Sequence, residues 1–272
     1  MTFPLRGSVA VVTGAAQGIG RSLALQLADE GTALALADID TDRLEATAAA
    51  ARAKGVEVST HRLDVGDAAA IAALPASVLE RHGRVNLLIN NAGVALMGNV
   101  EEVTLADIEW LFAINFWGVV RMTKAFLPVL QRETAAHIVN LSSVFGIIAP
   151  AGQAAYSASK FAVRGFSEAL RHELEGSPVS LSVVHPGGIA TAIAENARVA
   201  AVVAPSAAKQ AAAGFKQVAK TTPDAAARRI IDGIRQREKR VLIGADARLI
   251  ALIQRLLPVG YWSLFRKSFQ LP

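Results

Sequence analysis

Ser8-Val9-Ala10-Val11-Val12-Thr13-Gly14-Ala15-Ala16-Gln17-Gly18-Ile19-Gly20 is the stretch that decides the fold. Ser8 to Thr13 is a short apolar run without alternation, which predicts a strand buried on both faces. Gly18 to Glu30 has helical patterning. Between them the glycines are spaced Gly-x-x-x-Gly-x-Gly. Glycines in such a turn let backbone approach a pyrophosphate, and the helix N-terminus favours its negative charge. The spacing differs from the general Gly-x-Gly-x-x-Gly fingerprint, and a glycine loop alone can be a plain tight turn. Its position between strand and helix makes a cofactor loop the better reading.

Working outward, the same alternation repeats. Strands are predicted at Ala33–Asp38, Val56–Leu63, Asn86–Asn90, Ala136–Leu141, Val179–His185 and Val241–Ile243. Helices are predicted at Thr41–Lys54, Asp67–His82, Thr104–Arg132 and Ala154–Glu175. Short buried strands alternating with helices predict an α/β fold, a doubly wound parallel sheet of about seven strands flanked by helices on both faces. With no linker or internal repeat, residues 1–245 read as one dinucleotide-binding and catalytic domain, and 246–272 as a C-terminal extension. The Ala/Val-rich residues 189–222 follow a strand's carboxyl end, where ligands bind, and read as a lid.

Composition narrows the class. The chain has 272 residues, 52% hydrophobic and 19% charged, with no cysteine. That excludes disulfides, a thiolate nucleophile and cysteine metal sites. The five histidines show no metal-ligand spacing, so no metal is expected. No apolar run reaches the length of a spanning helix, and the first residues lack a signal-peptide layout, so a cytoplasmic protein is expected. Net charge is +5, but late basic residues such as Arg228, Arg235 and Lys239 alternate with Asp224, Asp232 and Glu238. They read as a solvated helix face, and no nucleic-acid partner is expected. The tail Leu249–Pro258 with Tyr261–Lys267 reads as packing on the body or on a partner subunit. A membrane-surface helix is the alternative.

Two features carry chemistry. Asp38 closes the second predicted strand, 18 residues after Gly20. A carboxylate there accepts hydrogen bonds from ribose hydroxyls and repels a 2′-phosphate, which favours NAD over NADP. Arg21 and Arg43 lie nearby as the groups that would meet a phosphate. Tyr156 and Lys160 stand four residues apart, on one face of a helix. An ammonium beside a phenol stabilises the phenolate and draws its pKa toward neutrality, so the pair can exchange a proton with an alcohol or ketone oxygen. By itself such spacing more often only covers a helix surface.

These motifs resemble, in order, the short-chain dehydrogenase/reductase family, in its simple one-domain branch. The likeness runs from about residue 7 to 243. It rests on Thr13–Gly20, Asp64-Val65, Asn90-Asn91-Ala92-Gly93, Asn115, Ser142-Ser143, Tyr156-x-x-x-Lys160 and Pro186-Gly187-x-x-x-Thr191. The resemblance implies catalytic roles for Asn115, Ser143, Tyr156 and Lys160. Tyr156 would be the acid/base, Ser143 the partner of the substrate oxygen, and Lys160 the group that lowers the phenol pKa and holds the nicotinamide ribose. Asn115 would hold a relay water, although an Asn in a helix can simply bond local backbone. Ser143 is preferred to Ser142 because it lies thirteen residues before Tyr156.

It further implies cofactor contacts from Gly14, Gln17, Gly18, Ile19, Gly20, Asp38, Asp64, Val65, Asn91, Gly93, Pro186, Gly187, Ile189 and Thr191, as well as Tyr156 and Lys160. His185, at a strand end, is read as a half-buried structural histidine rather than a base. Ala95–Met97 and Ala149–Gly152 are expected to line an apolar pocket for a hydrophobic secondary alcohol or ketone. The competing readings are a 3-oxoacyl thioester reductase and a non-catalytic NAD-binding regulator. Assembly as a homodimer or homotetramer through the long helices is expected.

Overall fold

In the computed structural model, which describes residues 2–203 and 205–266, the elements run in the order the patterning predicts. They are β1 (Val9–Thr13), α1 (Gly18–Asp29), β2 (Ala33–Asp38), α2 (Thr41–Arg52), β3 (Val58–Arg62), α3 (Ala68–His82), β4 (Leu87–Asn90), β5 (Leu96–Met97) and α4 (Leu105–Phe112). A π turn (Ala113–Gly118) leads into α5 (Val119–Leu130) and β6 (Ala136–Leu141). A 3-10 turn (Val144–Gly146) precedes α6 (Ala154–Glu173), β7 (Val179–Pro186), β8 (Arg198–Val199) and α7 (Pro205–Val218). The chain continues through α8 (Pro223–Gln236), β9 (Arg240–Ile243), α9 (Ala245–Leu256) and α10 (Tyr261–Phe265).

Seven strands form one parallel sheet in the order β3-β2-β1-β4-β6-β7-β9. Val11 pairs with Ala35 on one side and Leu88 on the other. Central strands buried on both faces need apolar or internally hydrogen-bonded residues at every position, which is why β1 and β6 show no alternation. One face packs Val12, Leu36 and Ile89 under Leu23 and Leu27 of α1 and Ile230 of α8. The other packs Val11, Leu88 and Ile138 under Val78, Phe126 and Leu170. The chain winds from β1 outward through β2 and β3, then returns to β4 on the other side of β1. That reversal opens a crevice at the carboxyl ends of β1 and β4, where such sheets bind ligands.

Three local departures bear on the site. The predicted Thr104–Arg132 helix holds as helix but is interrupted by the π turn that carries Asn115. Its start is fixed by a capping box between Thr104 and Asp107. The predicted Val56–Leu63 strand is shorter, because β3 is an outer strand with a part-exposed face. Residues 189–222 leave and rejoin the body at one point, where Ile189 bridges Thr221 and Ala190 N donates to Thr221 O at 2.9 Å. Within this excursion β8 pairs with β5 in a separate two-stranded sheet. No helix among the described residues is long and apolar enough to cross a membrane.

Candidate active site

Tyr156 and Lys160 stand one turn apart on α6. Lys160 is buried. Its Nζ donates to the Leu141 carbonyl at 3.1 Å and lies 5.8 Å from the Tyr156 ring centroid. Burial pushes the ammonium down to about 8, because the charged form loses hydration. The Tyr156 ring stacks edge-on to Phe145 at 6.1 Å. Burial pushes its phenol up to about 12, offset in part by a hydrogen bond with Ser143. A shift toward neutrality was expected from the Lys160 charge. In the polypeptide the loss of solvent dominates instead, and the ammonium is occupied with a backbone carbonyl.

Ser142 and Ser143 separate cleanly. Ser142 Oγ is buried and donates to the Lys160 carbonyl at 2.8 Å, which ties the end of β6 to α6. Ser143 has extended backbone at the entry to the 3-10 turn and accepts from Phe145 N at 3.1 Å. It is the Ser143 hydroxyl that reaches Tyr156. His185 is fully buried, not half-buried, and its Nδ1 lies 2.9 Å from the Ser143 carbonyl. A carbonyl only accepts, so Nδ1 must carry the proton. Burial holds the imidazole down to about 4, and the neutral ring steadies Ser143 from behind.

Asn115 is fully buried on the π turn. Its Oδ1 accepts from Val94 N at 2.9 Å, and its Nδ2 donates to Val94 O at 3.0 Å and to Ser159 Oγ at 3.2 Å. The side-chain amide is therefore committed on both sides, to Val94 after β4 and to Ser159 on α6. A Cβ placed on Gly93 would lie 3.1 Å from Asn115 Oδ1 and 3.4 Å from Lys160 Nζ. Gly93, Asn115 and Lys160 thus converge at one point.

The glycine loop lies across the crevice. Asn91 Nδ2 donates to the carbonyls of Thr13 and Gly14 at 2.9 and 3.0 Å. Thr13 Oγ1 accepts from the backbone of Asn91 and Ala92, both at 3.0 Å. A Cβ on Gly20 would fall 2.0 Å from the Gly14 carbonyl, so only glycine permits this closeness. Gly18 has φ +55°, and a Cβ there would meet Thr191 at 3.2 Å. Thr191 and the glycine loop therefore face each other. Gln17, the N-cap of α1, makes no side-chain cap, and the first turn of α1 holds no acid. The orphan N–H groups of that turn point to an anion. Asp38 sits beside the loop, its Oδ2 accepting from Ala16 N at 2.9 Å and its Oδ1 from Asp40 N at 3.0 Å. Val65 packs against Gly118, and exposed Asp64 accepts from Gly66 N at 2.7 Å.

Asp246, at the start of α9, belongs to no sequence motif. Its Oδ2 accepts from Gly188 N at 2.7 Å, and it packs so tightly on Gly187 that a Cβ there would sit 2.1 Å from it. The start of α9 thereby fixes the Pro186–Gly188 turn. Arg43 Nη1 donates to Gln17 Oε1 at 3.0 Å while its guanidinium pairs with Asp40 at 3.3 Å. The Asp246–Gly188 and Arg43–Gln17 contacts have no sequence signal, since each joins residues far apart in the chain. Gly98 N, next to the first expected pocket wall, donates to Gly152 O of the second at 3.4 Å, and Arg198 N of β8 donates to Ala95 O at 3.0 Å.

Residues 8–202 match the family described as short chain dehydrogenase. The chain belongs to that family. The short-chain dehydrogenase is 45% identical over 262 residues to SadH of Mycobacterium tuberculosis, named as an oxidoreductase, covering 95% of this chain and 94% of SadH. Among solved structures it is similar to a short-chain dehydrogenase/reductase from Burkholderia phymatum in complex with NAD, with TM-score 0.86 and 34% identity over 94% of this chain and 95% of that one. An alcohol dehydrogenase from Thermococcus sibiricus complexed with 5-hydroxy-NADP gives TM-score 0.74 and 28% identity over 87% of this chain and 95% of that one. The chain is therefore an oxidoreductase of a family that uses a nicotinamide cofactor. Its residues fit such a group. The close-packed glycines, the uncapped α1 N-terminus and the Asp38 carboxylate form a cradle for a pyrophosphate and a ribose on one side of the crevice.

Proposed function

We propose that this oxidoreductase interconverts hydrophobic secondary alcohols and ketones with NAD(H), and that Tyr156 exchanges the substrate proton. The observation that carries the reading is the convergence of Ser143, Tyr156 and Lys160, with the Ser143 hydroxyl close enough to the phenol to offset part of its upward shift. When bound, the cofactor supplies the hydride chemistry and, in its oxidised form, a positive ring beside the phenol. At neutral pH the phenol, held near 12 by burial, keeps its proton, which suits delivery to a ketone oxygen. Ser143 orients that oxygen. The buried Lys160 charge favours the phenolate when the proton has left, the Leu141 carbonyl keeps Lys160 in place, and Gly93 leaves room beside its ammonium.

Gly14, Gln17, Gly18, Ile19 and Gly20 would hold the pyrophosphate; Asp38 the adenosine ribose; and Asp64, Val65, Asn91 and Gly93 the adenine side. Pro186, Gly187, Ile189 and Thr191 would shape the nicotinamide pocket. Preference for NAD rests on Asp38 and on Arg43, which is already engaged by Gln17 and Asp40 and so is not free for a 2′-phosphate. The apolar walls Ala95–Met97 and Ala149–Gly152, with residues 189–222 acting as a lid, favour a hydrophobic substrate. Exposed Leu105, Trp117 and Phe161 on the long helices suit a homo-oligomer.

The test is a panel of alcohols and ketones assayed with NAD(H) and NADP(H), on the wild type and Asp38→Ser. The wild type should favour NAD(H), and the variant should lose at least about tenfold of that preference. A wild type that works better with NADP(H), or that turns over only small anionic hydroxy acids, overturns the reading.

A further inference from the structure

Half of the large hydrophobic residues exposed among the described residues lie in the last two helices and the turn between them: Leu249, Leu252, Leu256, Leu257, Val259 and Leu264. The body does not bury them because it has already taken the other face of α9. Ala247 and Ile250 pack with Val144 and Ile148, and Tyr261 and Phe265 of α10 pack against the same cluster. At about 100° per residue, Leu249, Leu252 and Leu256 fall within roughly 60° of arc on the opposite side of α9. Arg248 and Arg255 lie together along one edge of that stripe. A single-sided helix explains one apolar face; a second, outward one calls for a partner.

Charge identifies the partner. From Ala245 to Arg266 the only acid is Asp246, and its carboxylate is held by Gly188 N. Arg248, Arg255 and Arg266 are exposed and form no ion pair with a described residue. Two copies meeting through this face would bring all these like charges together. An apolar stripe with arginines along one edge complements the boundary between acyl chains and anionic headgroups.

We propose that the α9–α10 face docks on an anionic lipid bilayer. The helices lie in the interface plane, with the leucines in the acyl boundary and the arginines at the phosphates. Docking sets the bilayer beside the segment after Ser143, because α9 packs on Val144 and Ile148 and Tyr261 Oη accepts from Ala149 N at 3.1 Å. The docking does not rest on the identity of the substrate.

The experiment is flotation of the full-length protein with vesicles of phosphatidylcholine alone and of phosphatidylcholine mixed with phosphatidylglycerol, at low and high salt. Partition should be at least about tenfold greater on the anionic vesicles at low salt, and should fall with salt. L252E/L256E should abolish flotation while the melting temperature and cofactor binding stay unchanged. R248Q/R255Q, which leaves the leucines in place, should lose the preference for anionic vesicles. The proposal is overturned if the wild type does not float, or if either variant floats as the wild type does. It is also overturned if light scattering shows L252E/L256E dropping to a smaller assembly with no vesicle binding by the wild type, since a second copy then covers the face.

Discussion

Lys160 gives the protein a pH dependence whose size follows from its burial. Burial lowers the folded-state pKa to about 8, against 10.5 for the exposed side chain. Below pH 8 both states carry the proton, and the folded state bears the full desolvation of a buried ammonium. That is about 2.5 units at 1.36 kcal/mol each, or roughly 3 kcal/mol. Between the two values the unfolded chain binds the extra proton, so stability rises with pH. It levels off above 10.5, and Tyr156 works against it from pH 10, because a phenol raised to about 12 holds its proton only when folded. From pH 7.5 to 9.5 Lys160 should therefore return about 2 kcal/mol. The assay is urea unfolding of nucleotide-free protein, wild type against Lys160→Met, read as the change in their difference over that range. Comparing slopes removes the lost hydrogen bond to Leu141, which shifts the variant equally at each pH. A difference that stays flat within about 0.5 kcal/mol would refute the argument that burial dominates this group.

Two further substitutions probe the geometry. Gly93→Ala puts a methyl 3.1 Å from Asn115 Oδ1 and 3.4 Å from Lys160 Nζ, so turnover should fall at least about tenfold. Stability should move far less; equal losses of turnover and folded fraction would mean the glycine serves only the fold. Asp246→Ala frees Gly188 N and loosens the turn, so KM for the cofactor should rise several-fold while kcat changes less. An unchanged cofactor KM would show that Pro186–Gly188 holds its shape without α9.

The sheet was legible because burial on both faces leaves a direct mark: Val9–Thr13 and Ala136–Leu141 can hold only apolar or internally bonded residues. Most of the site motifs were legible because they lie at strand ends, where the winding of the sheet gathers them, while Asn115 and the Tyr156–Lys160 pair lie on helical segments beside those ends. What was hidden depends on contacts between distant residues. Nothing in the apolar run around Asn115 marks the π turn. The pairing of Leu96–Met97 with Arg198–Val199 is two residues long, too short for any period. Asp246 meets Gly188 across 58 residues, so its role appears only once β7 and β9 lie side by side. Spacing supplied the charge beside Tyr156 but not the burial, and burial reverses the direction of the phenol's shift.

The central claim is that Tyr156 moves the proton while the other groups position it. It is tested most directly by the kcat/KM of Tyr156→Phe on a ketone that the wild type reduces, with cofactor affinity measured in parallel by fluorescence. The account predicts a loss of about 10²–10⁴-fold in kcat/KM with cofactor binding nearly unchanged. Full turnover in the Phe variant would contradict it.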